Sequence, residues 1–269
     1  MVGGHDFDKI DEGMKKMKKM LDDGLKEGVK FCIQFAGTEP NAYPSKSQKM
    51  MEAFLDKCAN HPAIFAYFLI DEVSLKIKNT AKIKTYDYME YWLEQSYIQV
   101  RSKDTVNPIY LLDTGERRWM ERSSRIGDIF ATDPYPGEES AVPGYSYIRA
   151  RWSTVGNNFQ TPNAVIVQMT PFSEEKWRPT PTAIRHQYYQ SFWGGAKMLG
   201  FFSLTGASDM TLESIKDDPV RYKELCKFYN TGEQEIAKLH PPSQSFLCIY
   251  ASALVHSATW TSDWSLPEF

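Results

Sequence analysis

The chain has 269 residues, enough for one large domain or two small ones. A net charge of -3, from 31 basic and 34 acidic residues, builds no field of one sign and argues against nucleic acid or a membrane surface as partner. Four scattered cysteines without CxxC or Cys/His spacing give no metal motif and no disulfide framework, and no run approaches the roughly 18 apolar residues of a membrane span.

The elements follow in chain order. Residues 8–27 have helical periodicity, with Ile10, Met14, Met17, Leu21 and Leu25 at steps of three or four, and Gly28 ends the helix. The basic run KKMKK lies on the solvated face of this helix. VKFCIQF, 29–35, is a short buried strand in which Cys32 is an inert buried thiol. Ser45 or Ser47 caps a helix that runs to about Asn60, and His61-Pro62 breaks it. IFAYFLI, 64–70, is the next strand and delivers Asp71 and Glu72 at its end.

The alternation continues with a helix over 80–102, the strand NPIYLLD, 107–113, and a short helix in ERRWMERSS. Next come the strand DIFATDPY, 128–135, a helix around 144–156 and the strand NAVIVQMT, 163–170. A helix over 180–197 opens on Thr180 and Pro181, a cap followed by proline in the first turn. MLGFFSL, 198–204, is a sixth strand, and a last helix over 217–239 stops at Pro241-Pro242.

These strands are continuous apolar runs, so both of their faces are covered, as in a parallel sheet. About six strand-then-helix units in a row argue an α/β chain. No GxGxxG follows the first strand and no GxxxxGK[ST] is present, which weakens a nucleotide-binding reading. Polar residues recur at the C-terminal ends of the strands: Gln34, Asp71 and Glu72, Asp113, Asp133 and Tyr135, Gln168, and Ser203. In a (β/α) barrel those ends form one face, and that face carries the chemistry.

Three stretches resemble TIM-barrel glycoside hydrolases: NHPAIFAYFLIDEVS their fourth strand, DIFATDPYP their sixth, and RPTPTAIRHQYYQSFWGGAKMLGFFSL their seventh helix and eighth strand. The likeness covers roughly residues 8–240. It implies a barrel domain over 1–240 and an irregular tail over 241–269. It also implies that strands one and two are absent, leaving an incomplete barrel with two open edges. A secretory leader would be missing along with any missing upstream sequence; the N-terminus as it stands has no apolar leader, and localisation stays open.

The activity implied is cleavage of an O-glycosidic bond, which uses two carboxyl groups flanking the bond. The resemblance places Glu72 as general acid. The retaining enzymes carry their second carboxylate on strand seven, where this chain has Gln168, so Asp133 is the candidate partner. Local likeness to the Asp-Glu of β-N-acetylhexosaminidases offers substrate assistance as another route. Asp71, Gln34, Asp113, Tyr135 and Gln168 are candidate substrate-binding groups, and Trp177, in a polar loop, a candidate sugar-stacking ring. Arg185 and His186 are read as anchors. No metal or cofactor is implied, and the expected partner is a carbohydrate. The alternatives are a catalytically inactive glycan-binding barrel and a barrel fragment with a structural role.

Overall fold

A computed structural model describes residues 5–34, 46–73, 86–113, 117–133, 163–169, 179–193, 196–202, 218–228 and 246–247. Their helices are α1 (His5–Lys26), α2 (Lys46–Cys58), α3 (Tyr86–Lys103), α4 (Arg117–Ser123), α5 (Pro181–Trp193) and α6 (Pro219–Lys227). Their strands are β1 (Phe31–Gln34), β2 (Ile64–Phe68), β3 (Ile109–Leu112), β4 (Ile129–Thr132), β5 (Asn163–Gln168), β6 (Met198–Phe202) and β7 (Phe246–Leu247). The seven strands form one sheet in sequential order, and every neighbouring pair is parallel.

This is a (β/α) TIM-type barrel that is incomplete: among the described residues β1 and β7 stand at opposite edges and do not pair with each other. The C-terminal stretch expected to be an irregular tail contributes β7, which lies beside β6 with Met198 opposite Phe246.

Strand alternation divides the core into two layers. Ala66, Phe68, Tyr110, Leu112, Ala131, Ala164, Ile166 and Met198 pack together on the inner face. Tyr67, Ile109, Leu111, Phe130, Val165, Val167, Leu199 and Phe201 pack on the outer face against the helices. Cys32 lies in the inner layer between Phe31 and Ile33 of the outer one, and a bulge opposite Phe31 and Cys32 leaves Phe65 as the extra residue of β2. The Cys32 thiol is in no disulfide and is only half-buried, a correction to the fully buried cysteine expected from its apolar flanks. Edge position explains the difference, because among the described residues β1 has a neighbouring strand on one side.

The first helix buries the expected stripe, with Met14 and Leu21 inside and Ile10 and Met17 packed beside them. Leu25 departs from it and is 43% exposed, because the helix ends one residue later. Gly28 supplies the left-handed turn, φ 71°, that ends α1. The Thr180 hydroxyl caps α5 by accepting the Ala183 N–H at 3.2 Å, with Pro181 in the first turn as the sequence predicts. α6 is capped by Asp218, whose carboxylate accepts the N–H groups of Val220 and Arg221 at 3.0 Å.

Candidate active face

The site is assembled from the C-terminal ends of parallel strands. On β1, Gln34 follows Cys32 at the inward-facing period and is half-buried. On β4, Asp133 follows Ala131 in the same way and is 6% exposed. On β5, Gln168 continues the inner series of Ala164 and Ile166 and is 3% exposed. Three polar groups from three strands are thus delivered to one end of the inner face.

Asp113 differs. It shares the period of Ile109 and Leu111, which belong to the helix-facing layer, and it has no exposed surface. Its N–H remains in the ladder, donating to Ala131 O at 3.0 Å. Its neighbourhood is the start of α3. Burial pushes the Tyr86 hydroxyl well above the usual phenol range; a hydrogen bond with Ser123 opposes this, and the Asp113 charge adds to it. The Arg122 guanidinium lies over the Tyr86 ring, 4.8 Å from its centroid, and pairs with Asp87 and Glu90.

The end of β2 is not a regular strand. Its ladder stops at Phe68, although the Leu69 N–H still reaches Tyr110 O at 3.4 Å. Glu72 then adopts a left-handed backbone, φ 49°. Side chains with a Cβ avoid this region at a cost of roughly 1–2 kcal/mol. Regular alternation would send adjacent carboxylates to opposite sides, but a break of this kind frees Asp71 and Glu72 from that constraint. Both are half-buried, and Val73 returns at once to the outer core.

Tyr135 and Trp177 lie outside the described residues, as does Ser203. Arg185 acts as the anchor expected of it: its guanidinium donates to both oxygens of Glu224 at 3.0 and 2.9 Å, joining α5 to α6. His186 is exposed. Two residues that sequence reading passed over also act here. Gln187 binds the main chain of Gln168, and Arg221 donates to Met169 O at 3.0 Å. A signal for the first existed, since Gln187 falls among Ile184, Tyr188 and Ser191 on the buried side of α5.

No family model matches the chain, and no curated protein matches its sequence. Solved structures do match. The glycoside hydrolase family 2 β-galacturonidase of Eisenbergiella tayi, solved bound to galacturonate, aligns over 72% of this chain with a TM-score of 0.52 at 12% identity. The β-glucuronidase of Bacteroides uniformis aligns over 53% of this chain and 18% of its own, with a TM-score of 0.37 and 16% identity. The β-D-glucuronidase of Dictyoglomus thermophilum aligns over 54% of this chain and 25% of its own, with a TM-score of 0.38 and 14% identity.

The chain therefore has the barrel fold seen in a family 2 glycoside hydrolase. It spans 38% of the length of that β-galacturonidase, and the likeness is one of fold.

Proposed function

We propose that this chain carries a glycoside-cleaving site at the C-terminal face of its barrel, with Glu72 as general acid. The observation that carries the reading is the left-handed backbone of Glu72 where β2 opens onto that face. A strained non-glycine residue persists where its surroundings hold it, and such residues concentrate at sites where a side chain has to be aimed. Asp133, inward-facing on β4, supplies the second carboxyl group and acts as base toward water. Gln34 and Gln168 offer amide groups to sugar hydroxyls, and Asp71 borders the acid. Tyr135 and Trp177 complete the binding surface in this reading. The substrate is a carbohydrate. Because the matched β-galacturonidase is bound to galacturonate, uronides belong in the first panel tested.

The test compares the wild-type protein with Glu72→Gln on aryl glycosides and aryl uronides of graded leaving-group acidity. A general acid matters most when the leaving oxygen is a poor one. Turnover of phenyl glycosides is expected to fall about 10²- to 10⁴-fold in Glu72→Gln, while dinitrophenyl glycosides lose far less. Equal loss for all leaving groups, or no loss, removes Glu72 from the acid role. Folded wild-type protein that binds glycans but cleaves none supports the non-catalytic barrel, a reading motivated by the amide of Gln168 where a retaining enzyme needs a carboxylate.

A further inference from the structure

The C-terminal end of β5 is held by a side chain from a helix. Among the described residues, β4 pairs with β5 as far as Thr132, opposite Val165, three residues before β5 ends at Gln168. At Gln168 the side chain of Gln187, from α5, takes over. Gln187 Nε2 donates to Gln168 O at 3.0 Å, and Gln168 N–H donates to Gln187 Oε1 at 3.0 Å. One amide satisfies both main-chain groups of one residue, the service a neighbouring strand gives elsewhere. Gln187 is 2% exposed, so water does not substitute for it.

One residue further on, Arg221 Nη1 donates to Met169 O, and Asp218 accepts from Arg221 Nε at 2.6 Å. The last residue of β5 and the one after it therefore hang from two helices, and those helices are joined by the Arg185–Glu224 pair.

We infer that Gln187 is a positioning residue: its amide binds both main-chain groups of Gln168 and fixes the end of β5, so that the Gln168 side chain is presented to the barrel mouth. The clamp stands on its own geometry; its effect on turnover rests on the glycosidase reading above. The chemistry required is narrow. A partner for Gln168 needs a donor and an acceptor side by side at the reach of a glutamine. Leucine keeps much of the volume and supplies neither. Glutamate supplies both only when protonated, since its anion presents two acceptors to a carbonyl oxygen.

Amide hydrogen exchange resolved at Gln168, with Val165 as internal reference, tests this in Gln187→Leu and Gln187→Glu. The Gln168 N–H is expected to exchange about 100-fold faster in Gln187→Leu while Val165 is unchanged, consistent with loss of one buried hydrogen bond. In Gln187→Glu the protection is expected at low pH and lost as the carboxyl ionises, a rescue that also serves if the leucine variant fails to fold. Unchanged protection of Gln168 in Gln187→Leu, or a pH-independent Gln187→Glu, overturns the clamp. On a glycoside that the wild type cleaves, the freed strand end should raise KM about tenfold and leave kcat within threefold, the mark of lost uniform binding. Exposed Gln168 with unchanged KM and kcat overturns the positioning role. If the wild type cleaves nothing, the glycosidase reading fails, and exchange alone decides the clamp.

Discussion

The chain turns through a left-handed residue at each end of β2: Asn60, φ 61°, four residues before the strand, and Glu72, φ 49°, four residues after it. At the N-terminal end the turn is made by a residue suited to it, and it is tied down. Asparagine visits this backbone region readily. The Asn60 N–H donates to Asp104 Oδ2 at 2.8 Å, and its Nδ2 donates to Lys103 O at 2.9 Å. Asp104, fully buried, also accepts from the Tyr67 hydroxyl at 2.7 Å, the Val106 and Asn107 N–H groups at 2.9 Å, and Asn107 Nδ2 at 2.8 Å. One carboxylate thus binds the starts of β2 and β3 together. At the C-terminal end the turn falls on glutamate, which has no such preference. The lesson is that the two ends of one strand make the same turn differently: one on a residue suited to it, the other on a residue that carries strain there.

The largest blow to this comparison should come from Asp104→Ala. Several buried donors lose their acceptor together, and unfolding in urea is expected to show a loss of about 3–4 kcal/mol. An effect below about 1 kcal/mol would mean that the N-terminal end is not the anchored one.

A smaller effect separates the ends by pH. Burial alone would raise the Asp104 carboxyl, but the Asn107 main-chain and side-chain donors, the Tyr67 hydroxyl and the Asn60 N–H outweigh it and hold it at about 2, against 3.8 for a free side chain. A group depressed in the folded state adds stability that is complete above the unfolded value and lost as the folded value is approached. Stability should therefore fall between about pH 4 and pH 2 through this group. Asp104→Asn should flatten that part of the curve; a curve of unchanged steepness would show that other carboxylates govern acid unfolding.

The smallest effects carry opposite signs. Glu72→Gly relieves a strained backbone and is expected to raise stability by about 0.5–1 kcal/mol while removing turnover. Asn60→Gly relieves little and gives up the bond to Lys103 O, so stability should drop by no more than about 0.5 kcal/mol. Matching signs in thermal denaturation would erase the distinction drawn between the two ends.

Much of this fold was legible in the sequence. Continuous apolar runs located the first six strands to within a few residues, and Gly28 and Thr180-Pro181 marked helix ends by their own backbone preferences. Gln34, Asp133 and Gln168 were singled out because strand ends in an α/β chain share a face. What stayed hidden depends on partners far along the chain. Asp104 sits in a turn between α3 and β3, and its hold on Tyr67 and Asn60 spans 37 and 44 residues. Gln187 matters through its two bonds to the main chain of Gln168, 19 residues away, a contact that appears once α5 is packed on the sheet. The orientation of Asp113 turns on strand phase, and the backbone of Glu72 on a strand that stops early at Phe68. Both are tertiary outcomes that local pattern does not carry.

The sequential order of the sheet bears on how the molecule comes into being. Each strand lies beside the one before it in the chain, with starts separated by 20 residues from Ile109 to Ile129 and by as many as 48 from Met198 to Phe246. As the chain leaves the ribosome at about 5–20 residues per second, each new strand meets a template already in place. Among the described strands, the sheet can grow by accretion from its N-terminal side.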